Sequence, residues 1–167
     1  MSAFVAIDPG RKALGWAYFN DRHELVAAGI VRGRAGESTV EISQRAAATI
    51  LAKASAPLHV VYERMQVYNV QQQRGAQADL VELAEIGGGV AALLASSSTP
   101  VLPREWKGTV PKDVLAARVR KDLSAQDLAV AVAAEEQYPS SLRHNLWDAI
   151  GIGRWWRLSL DHYAGSR

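Results

Sequence analysis

Twice in this chain a short apolar run ends in an acid. Phe4-Val5-Ala6-Ile7 leads into Asp8-Pro9-Gly10, and Leu58-His59-Val60-Val61-Tyr62 leads into Glu63. Runs filled with Phe, Val, Leu and Ile are stable as strands when both faces are covered, which is the condition of a parallel sheet. The long connection between them also points to parallel pairing. Parallel neighbours bring their carboxyl ends to one edge, so Asp8 and Glu63 are expected to emerge together where open α/β sheets place their chemistry. The alternative for the first run is an ordinary turn, since Asp-Pro-Gly has a proline to preset φ and a glycine to accept φ > 0. Two acids at one edge repel unless a cation lies between them.

The remaining pattern fits an α/β domain. Gly15 to Phe19 reads as a second strand, Asn20 to His23 as a polar turn, and Leu25 to Arg32 as a third strand, giving an antiparallel meander. Ser38 with Glu41 has the form of a capping box. Ile42, Ala46, Ile50 and Ala54, widened by Ala47 and Leu51, then lay one helix face on the sheet, and Pro57 closes that helix. Residues 65–76 are rich in amides and read as a loop. A helix over Leu80 to Leu94 carries Gly87-Gly88-Gly89, which would cost roughly 2 to 3 kcal/mol against alanine in an exposed helix. Another backbone is therefore expected close by, from the sheet or from a second copy of the chain. Pro100 to Pro103 reads as a fifth strand and Arg104 to Thr109 as its exit loop. Helices over Pro111 to Asp122 and, capped by Ser124, over Ala125 to Glu136 precede a last helix opened by Pro139-Ser140-Ser141. Three antiparallel strands followed by parallel ones, flanked by helices, is the expected mixed sheet.

At 167 residues, positions 1–167 are expected to form a single domain. There is no cysteine, so disulfides and thiolate metal sites are excluded and a metal must be held by oxygen or imidazole. No run approaches the roughly 20 apolar residues that span a bilayer, and a soluble, cytoplasmic protein without a membrane partner is expected. The net charge of +2 is a weak signal, but residues 101–121 hold six cations against two anions, a local charge of +4. Such a strip can hold phosphates or be a solvated helix face. Within it Trp106, between Arg104 and Lys107, is suited to a base or sugar, or to plugging the core.

His144 and Asp148 are spaced i, i+4 and share one side of the last helix, with Asn145 at i−3 from Asp148. Asp148 is flanked by Trp147, Ala149 and Ile150, an unusual setting for a carboxylate unless it faces a cation or a cleft. A local His–Asp ion pair is the alternative. Oxygen ligands from three segments suit Mg²⁺, with Mn²⁺ able to substitute, and a pair of such ions about 3.5 to 4 Å apart clamps the attacking and leaving oxygens of a phosphodiester. Metal-assisted phosphodiester hydrolysis is the reaction these residues suggest.

The strand ending Ile7-Asp8-Pro9-Gly10 with Gly15-Trp16, the strand ending in Glu63, and the helix His144-Asn145-Leu146-Trp147-Asp148-Ala149-Ile150-Gly151 together resemble the RuvC-type Holliday junction resolvases, bacterial or phage-like, of the ribonuclease H-like superfamily. The match runs over nearly the whole chain in order and spacing. It implies a ribonuclease H-like five-stranded mixed sheet, a homodimer, and symmetric Mg²⁺-dependent nicking of opposed strands at four-way or branched DNA in recombination and repair. Asp8, Glu63 and Asp148 correspond to three family acids. The fourth position departs: relatives place an Asp or His where this chain has Asn145. A helix lets i−4 replace i−3 with modest rotation, so His144 is expected as ligand or proton carrier, with Asn145 the weaker alternative. The family's loop after the second acid probes the junction centre, often with an aromatic ring, which makes Tyr68 the candidate here. The helix beyond it tends to form the dimer interface. The expected DNA contacts are Tyr68, Arg74, Arg104, Trp106, Lys107, Lys112 and Arg118. Two other readings are a related nuclease acting on RNA, as in RuvX-like proteins, and a catalytically silent junction-binding module. A strand ending in Asp-Pro-Gly also resembles that of actin-like ATPases, for which the chain is too short.

Overall fold

Strands β1 (Phe4–Asp8), β2 (Ala13–Phe19), β3 (Leu25–Arg32), β4 (Leu58–Glu63) and β5 (Ala95–Val101) form one sheet in the order β3-β2-β1-β4-β5. The first three pair antiparallel, and β4 and β5 add in parallel to β1, as the two acid-ended runs require. The structure is a computed structural model that describes residues 2–54, 58–65 and 74–165 and, within these, all side chains except those of 74–77, 112–113 and 161–165.

Helices α1 (Thr39–Leu51) and α2 (Arg74–Leu94) cover one face of the sheet, and α4 (Lys112–Asp122), α5 (Ala125–Glu135) and α6 (Arg143–Gly165) the other. Alternation along the strands sorts their side chains between these layers. Val5, Ile7, Val60 and Leu58 pack with Ile42, Ile50, Ile86 and Val90 under α1 and α2. Phe4, Ala6 and Val61 pack with Leu146, Trp147 and Ile150 of α6. By the same parity Asp8 follows Phe4 and Ala6, and Glu63 follows Val61, so both acids belong to the α6 face.

The capping box forms as read: the Ser38 hydroxyl accepts from the Glu41 N–H, and the Glu41 carboxylate accepts from the Ser38 N–H. Three stretches differ most from the sequence reading. α2 starts at Arg74, inside the amide-rich stretch. β5 starts at Ala95 and runs through Ser96-Ser97-Ser98, because an edge strand is held by ladder bonds to β4 that ask nothing of its side chains. Arg104-Glu105-Trp106, expected in an exit loop, coils into the one-turn helix α3 (Pro103–Trp106).

The glycine triplet has an intramolecular account. A Cβ on Gly87 would stand 3.0 Å from Pro9 Cγ and 3.2 Å from Tyr62 Cδ2, and one on Gly89 would stand 2.7 Å from Ser43 Oγ of α1. The sheet edge thus explains Gly87 and the neighbouring helix explains Gly89, while Gly88 faces open space. At the opposite rim, the edge strand β3 has two N–H groups bound by distant side chains: Leu25 donates to Asp127 Oδ1 at 2.9 Å and Ile30 to the Tyr138 hydroxyl at 3.0 Å.

Candidate active site

The parallel register Ile7↔Tyr62 makes Asp8 and Glu63 successive neighbours at the carboxyl ends of β1 and β4. Both are held inside the protein, each with 8% of its surface exposed, as is Asp148 with 5%. Buried carboxylates need compensation by hydrogen bonds or cations.

Two contacts of α6 place Asp148 against them. His59 at the start of β4 stacks on Trp156, ring centroids 5.0 Å apart. From His59 to Glu63 the strand rises about 13 Å, and from Trp156 back to Asp148 the helix rises about 12 Å, so Asp148 comes level with Glu63. The second is at Gly15, the register partner of Asp8: a Cβ there would lie 1.9 Å from the Asn145 carbonyl oxygen and 3.3 Å from Ala149 Cβ. Only glycine lets α6 cross β2 this closely, and the crossing sets the turn carrying Asp148 over the end of β1.

Glu63 has the best-defined surroundings. Its Oε2 accepts the Trp106 indole N–H at 2.8 Å and the Lys107 ammonium at 3.0 Å, and Lys107 Nζ also lies 4.8 Å from the centroid of the Trp106 ring. Trp106 itself is 9% exposed and is wedged under α6, where a Cβ on Gly151 would meet its Cζ3 at 2.8 Å. Of the two sequence readings of Trp106, the structure shows the plug: the ring is spent on the core and the N–H on Glu63, and neither is offered to a base. The cation that two neighbouring acids call for is Lys107. Sequence reasoning placed Lys107 on DNA and missed this contact; the repulsion between Asp8 and Glu63 was the signal for it.

The other expected residues separate. His144 is exposed and lines, with Asn145, Arg11, Lys12 and Glu82, a cavity of about 460 Å³ beyond the strand ends. The Asn145 amide donates to the Leu142 carbonyl at 3.2 Å, in the turn just before its own helix. Arg104 and Arg118 are exposed. Tyr68 and the side chains of Arg74 and Lys112 lie outside what the structure describes.

Three carboxylates from two strand ends and a helix are, in kind, the all-oxygen donor set of a hard divalent cation. As placed, no three His, Asp or Glu side chains among the described residues converge closely enough to hold one ion, and an ammonium stands on Glu63. The chemistry of the donors fits Mg²⁺ or Mn²⁺, and Lys107 is the group that would have to yield. Among the described residues no helix is long and apolar enough to cross a membrane.

Sheet order and acid-bearing strand ends define an α/β fold of the ribonuclease H-like class, as the sequence led us to expect. More narrowly, the fold is that of RuvC. The chain is similar to the Thermus thermophilus RuvC structure (TM-score 0.55, 18% identity, 92% of each chain covered) and to T. thermophilus RuvC in complex with Holliday junction substrate (TM-score 0.59, 20% identity, 93% of this chain and 92% of that one). The sequence matches no protein-family model and no curated protein.

Proposed function

We propose that the protein is a structure-selective endonuclease that resolves four-way DNA by hydrolysing phosphodiesters in two opposed strands. The observation that carries this reading is the burial of Asp8, Glu63 and Asp148 at one edge and on one face of a sheet whose fold is shared with a protein solved on a Holliday junction. Burying three acids together there costs free energy.

Asp8, Glu63 and Asp148 are the residues that would hold Mg²⁺ or Mn²⁺. Such ions, when bound, polarise the phosphodiester and stabilise charge on the attacking and leaving oxygens. The protein's own contribution is to keep the three carboxylates aimed: the strands fix Asp8 and Glu63, the Gly15 crossing fixes Asp148, and Trp106 fixes the rotamer of Glu63. Exposed Arg104 and Arg118, with Lys107 and Lys112 of the same strip, would bind phosphates without sequence preference. His144, at the mouth of the cavity beside the strand ends, is our candidate for the fourth position, as ligand or proton carrier, ahead of Asn145. Cutting opposed strands calls for two sites, and the outward face of α2, with exposed Val81, Ala84 and Ala92 around the open Gly88, is where a second copy would pack.

The test is incubation with a four-way junction, a linear duplex and a structured RNA, each with Mg²⁺ and with EDTA. We expect paired, symmetric nicks in the junction with Mg²⁺ alone, abolished by Asp8→Asn or Asp148→Asn while junction binding persists. Preferential cutting of the RNA would replace this reading with an RNA-processing one, and binding without cutting would make the protein a silent module.

A further inference from the structure

We infer that Trp106 and Lys107 act on Glu63 in opposite directions: the indole positions the carboxylate for a divalent cation, and the ammonium stands in that cation's place until DNA phosphate draws it away. The inference rests on the proposed function and concerns how the same site controls access to its metal.

The two donors reach the same atom, Glu63 Oε2, but differ in freedom. Trp106 cannot leave, because its ring is locked between the core and the backbone of α6 at Gly151, so any displacement of the indole must push the helix that carries Asp148. One side chain therefore ties together two of the three acids. It touches no reacting atom in this arrangement and is a positioning residue, of the outer-shell kind that holds a ligand in its productive orientation.

Lys107 can leave. Its side chain is 21% exposed and its ammonium sits on a flexible stem, held among the described residues by Glu63 and the face of Trp106. An ammonium and a divalent cation on one carboxylate oxygen repel each other, so each must weaken the other's hold. Lys107 also belongs to the +4 strip that would meet the DNA backbone. A phosphate entering the site offers it a fully charged partner, and the oxygen it vacates becomes available when substrate is present. Metal capture would then be coupled to DNA binding through one lysine.

The experiment measures Mn²⁺ binding to the full-length protein by electron paramagnetic resonance of the free ion, without DNA and then with a non-cleavable four-way junction. Glu63→Gln, Trp106→Phe and Lys107→Met are compared with the wild type. Without DNA we expect Lys107→Met to bind Mn²⁺ on the order of tenfold more tightly, as one competing charge has gone. We expect Trp106→Phe, which keeps the ring and loses the N–H, to bind about 10-fold or more weakly, in the range found for outer-shell partners. With junction present the gap between wild type and Lys107→Met should close. Equal or weaker Mn²⁺ binding by Lys107→Met overturns the inference, as does unchanged binding by a folded Trp106→Phe. Should Trp106→Phe not fold, Lys107→Met decides alone. If Glu63→Gln loses Mn²⁺ binding while the other two variants match the wild type, only this inference fails. If neither the wild type with junction present nor Lys107→Met binds Mn²⁺, the proposed function fails and takes the inference with it.

Discussion

Two glutamates, Glu63 and Glu135, each accept a tryptophan N–H and a cationic side chain that also sits over the same tryptophan's ring. At Glu63 the partners are Trp106 and Lys107. At Glu135 they are Trp147, whose Nε1 donates to Oε1 at 3.0 Å, and Arg120, whose Nη2 spans both carboxylate oxygens at 2.6 and 2.5 Å and whose guanidinium carbon lies 4.2 Å from the Trp147 ring centroid. Guanidinium is a planar, permanently charged fork with several fixed donors; ammonium is a strongly hydrated point charge on a mobile stem. The arginine trio joins α4, α5 and α6. The lysine trio stands at the strand ends, where the proposed function calls for a metal ion. On that proposal, the same interaction holds structure when its cation stays and opens a site when its cation can leave.

Charge removal separates the two most sharply. We expect Glu63→Gln to lower junction cleavage on the order of 10³-fold, the worth of several kcal/mol of metal-assisted stabilisation, with little change in melting temperature. Glu135→Gln should keep cleavage near the wild-type rate at a temperature where it is folded, while losing about 1 to 3 kcal/mol of stability as the Arg120 charge loses its partner. A Glu135→Gln protein that is stable but inactive would show that the two trios do not divide in this way.

The indoles give the next contrast. Trp147→Phe removes the N–H to Glu135 and should cost about 1 to 2 kcal/mol, a melting temperature lower by about 2 to 8 °C. It should leave the Mn²⁺ dependence of cleavage unmoved, whereas Trp106→Phe should shift that dependence to higher concentration and reach the same plateau. Differential scanning calorimetry and a metal titration read the two effects separately.

Smaller still is Arg120→Lys, which keeps the charge and gives up the fork. A loss of about 0.5 to 1 kcal/mol in urea unfolding would support the distinction between fork and point charge, and no loss would erase it.

The smallest effect is in acid. Burial raises the Glu135 carboxyl, but hydrogen bonds from Trp147 and Arg120 and the charges of Arg120 and Arg143 outweigh it and hold the group below its ordinary value of 4.5. A carboxylate whose folded value is depressed contributes stability that is fully present above the unfolded value and is lost as pH falls through the folded one. The stability difference between wild type and Glu135→Gln should therefore be constant at neutral pH and shrink once the pH drops below about 4.5. A difference independent of pH down to 3 would remove the ionic part of this account.

The sequence made Asp8, Glu63 and Asp148 legible because each is an acid where its neighbours predict burial, at the end of an apolar strand or between Trp147 and Ala149. β1 and β4 were readable for the same reason, being apolar enough to need two covered faces. β5 was readable only at its end, since Ser96, Ser97 and Ser98 leave no periodic trace in a strand held by backbone bonds along an edge. His144 was placed beside Asp148 by helical spacing, but the two differ in burial: Asp148 is covered and His144 is exposed. The Glu63 trio was hidden because Glu63 and Trp106 stand 43 residues apart, and it is the pairing of β4 with β5, which leads directly into α3, that brings them together.

The bonds that Asp127 and Tyr138 make to Leu25 and Ile30 bear on what the molecule avoids becoming. A strand at the rim of a sheet is a template on which another chain can grow, and two of the donors that such growth would use on β3 already belong to the α5 side of the molecule. The two bonds leave fewer open donors on that rim, and they are supplied from more than 100 residues downstream.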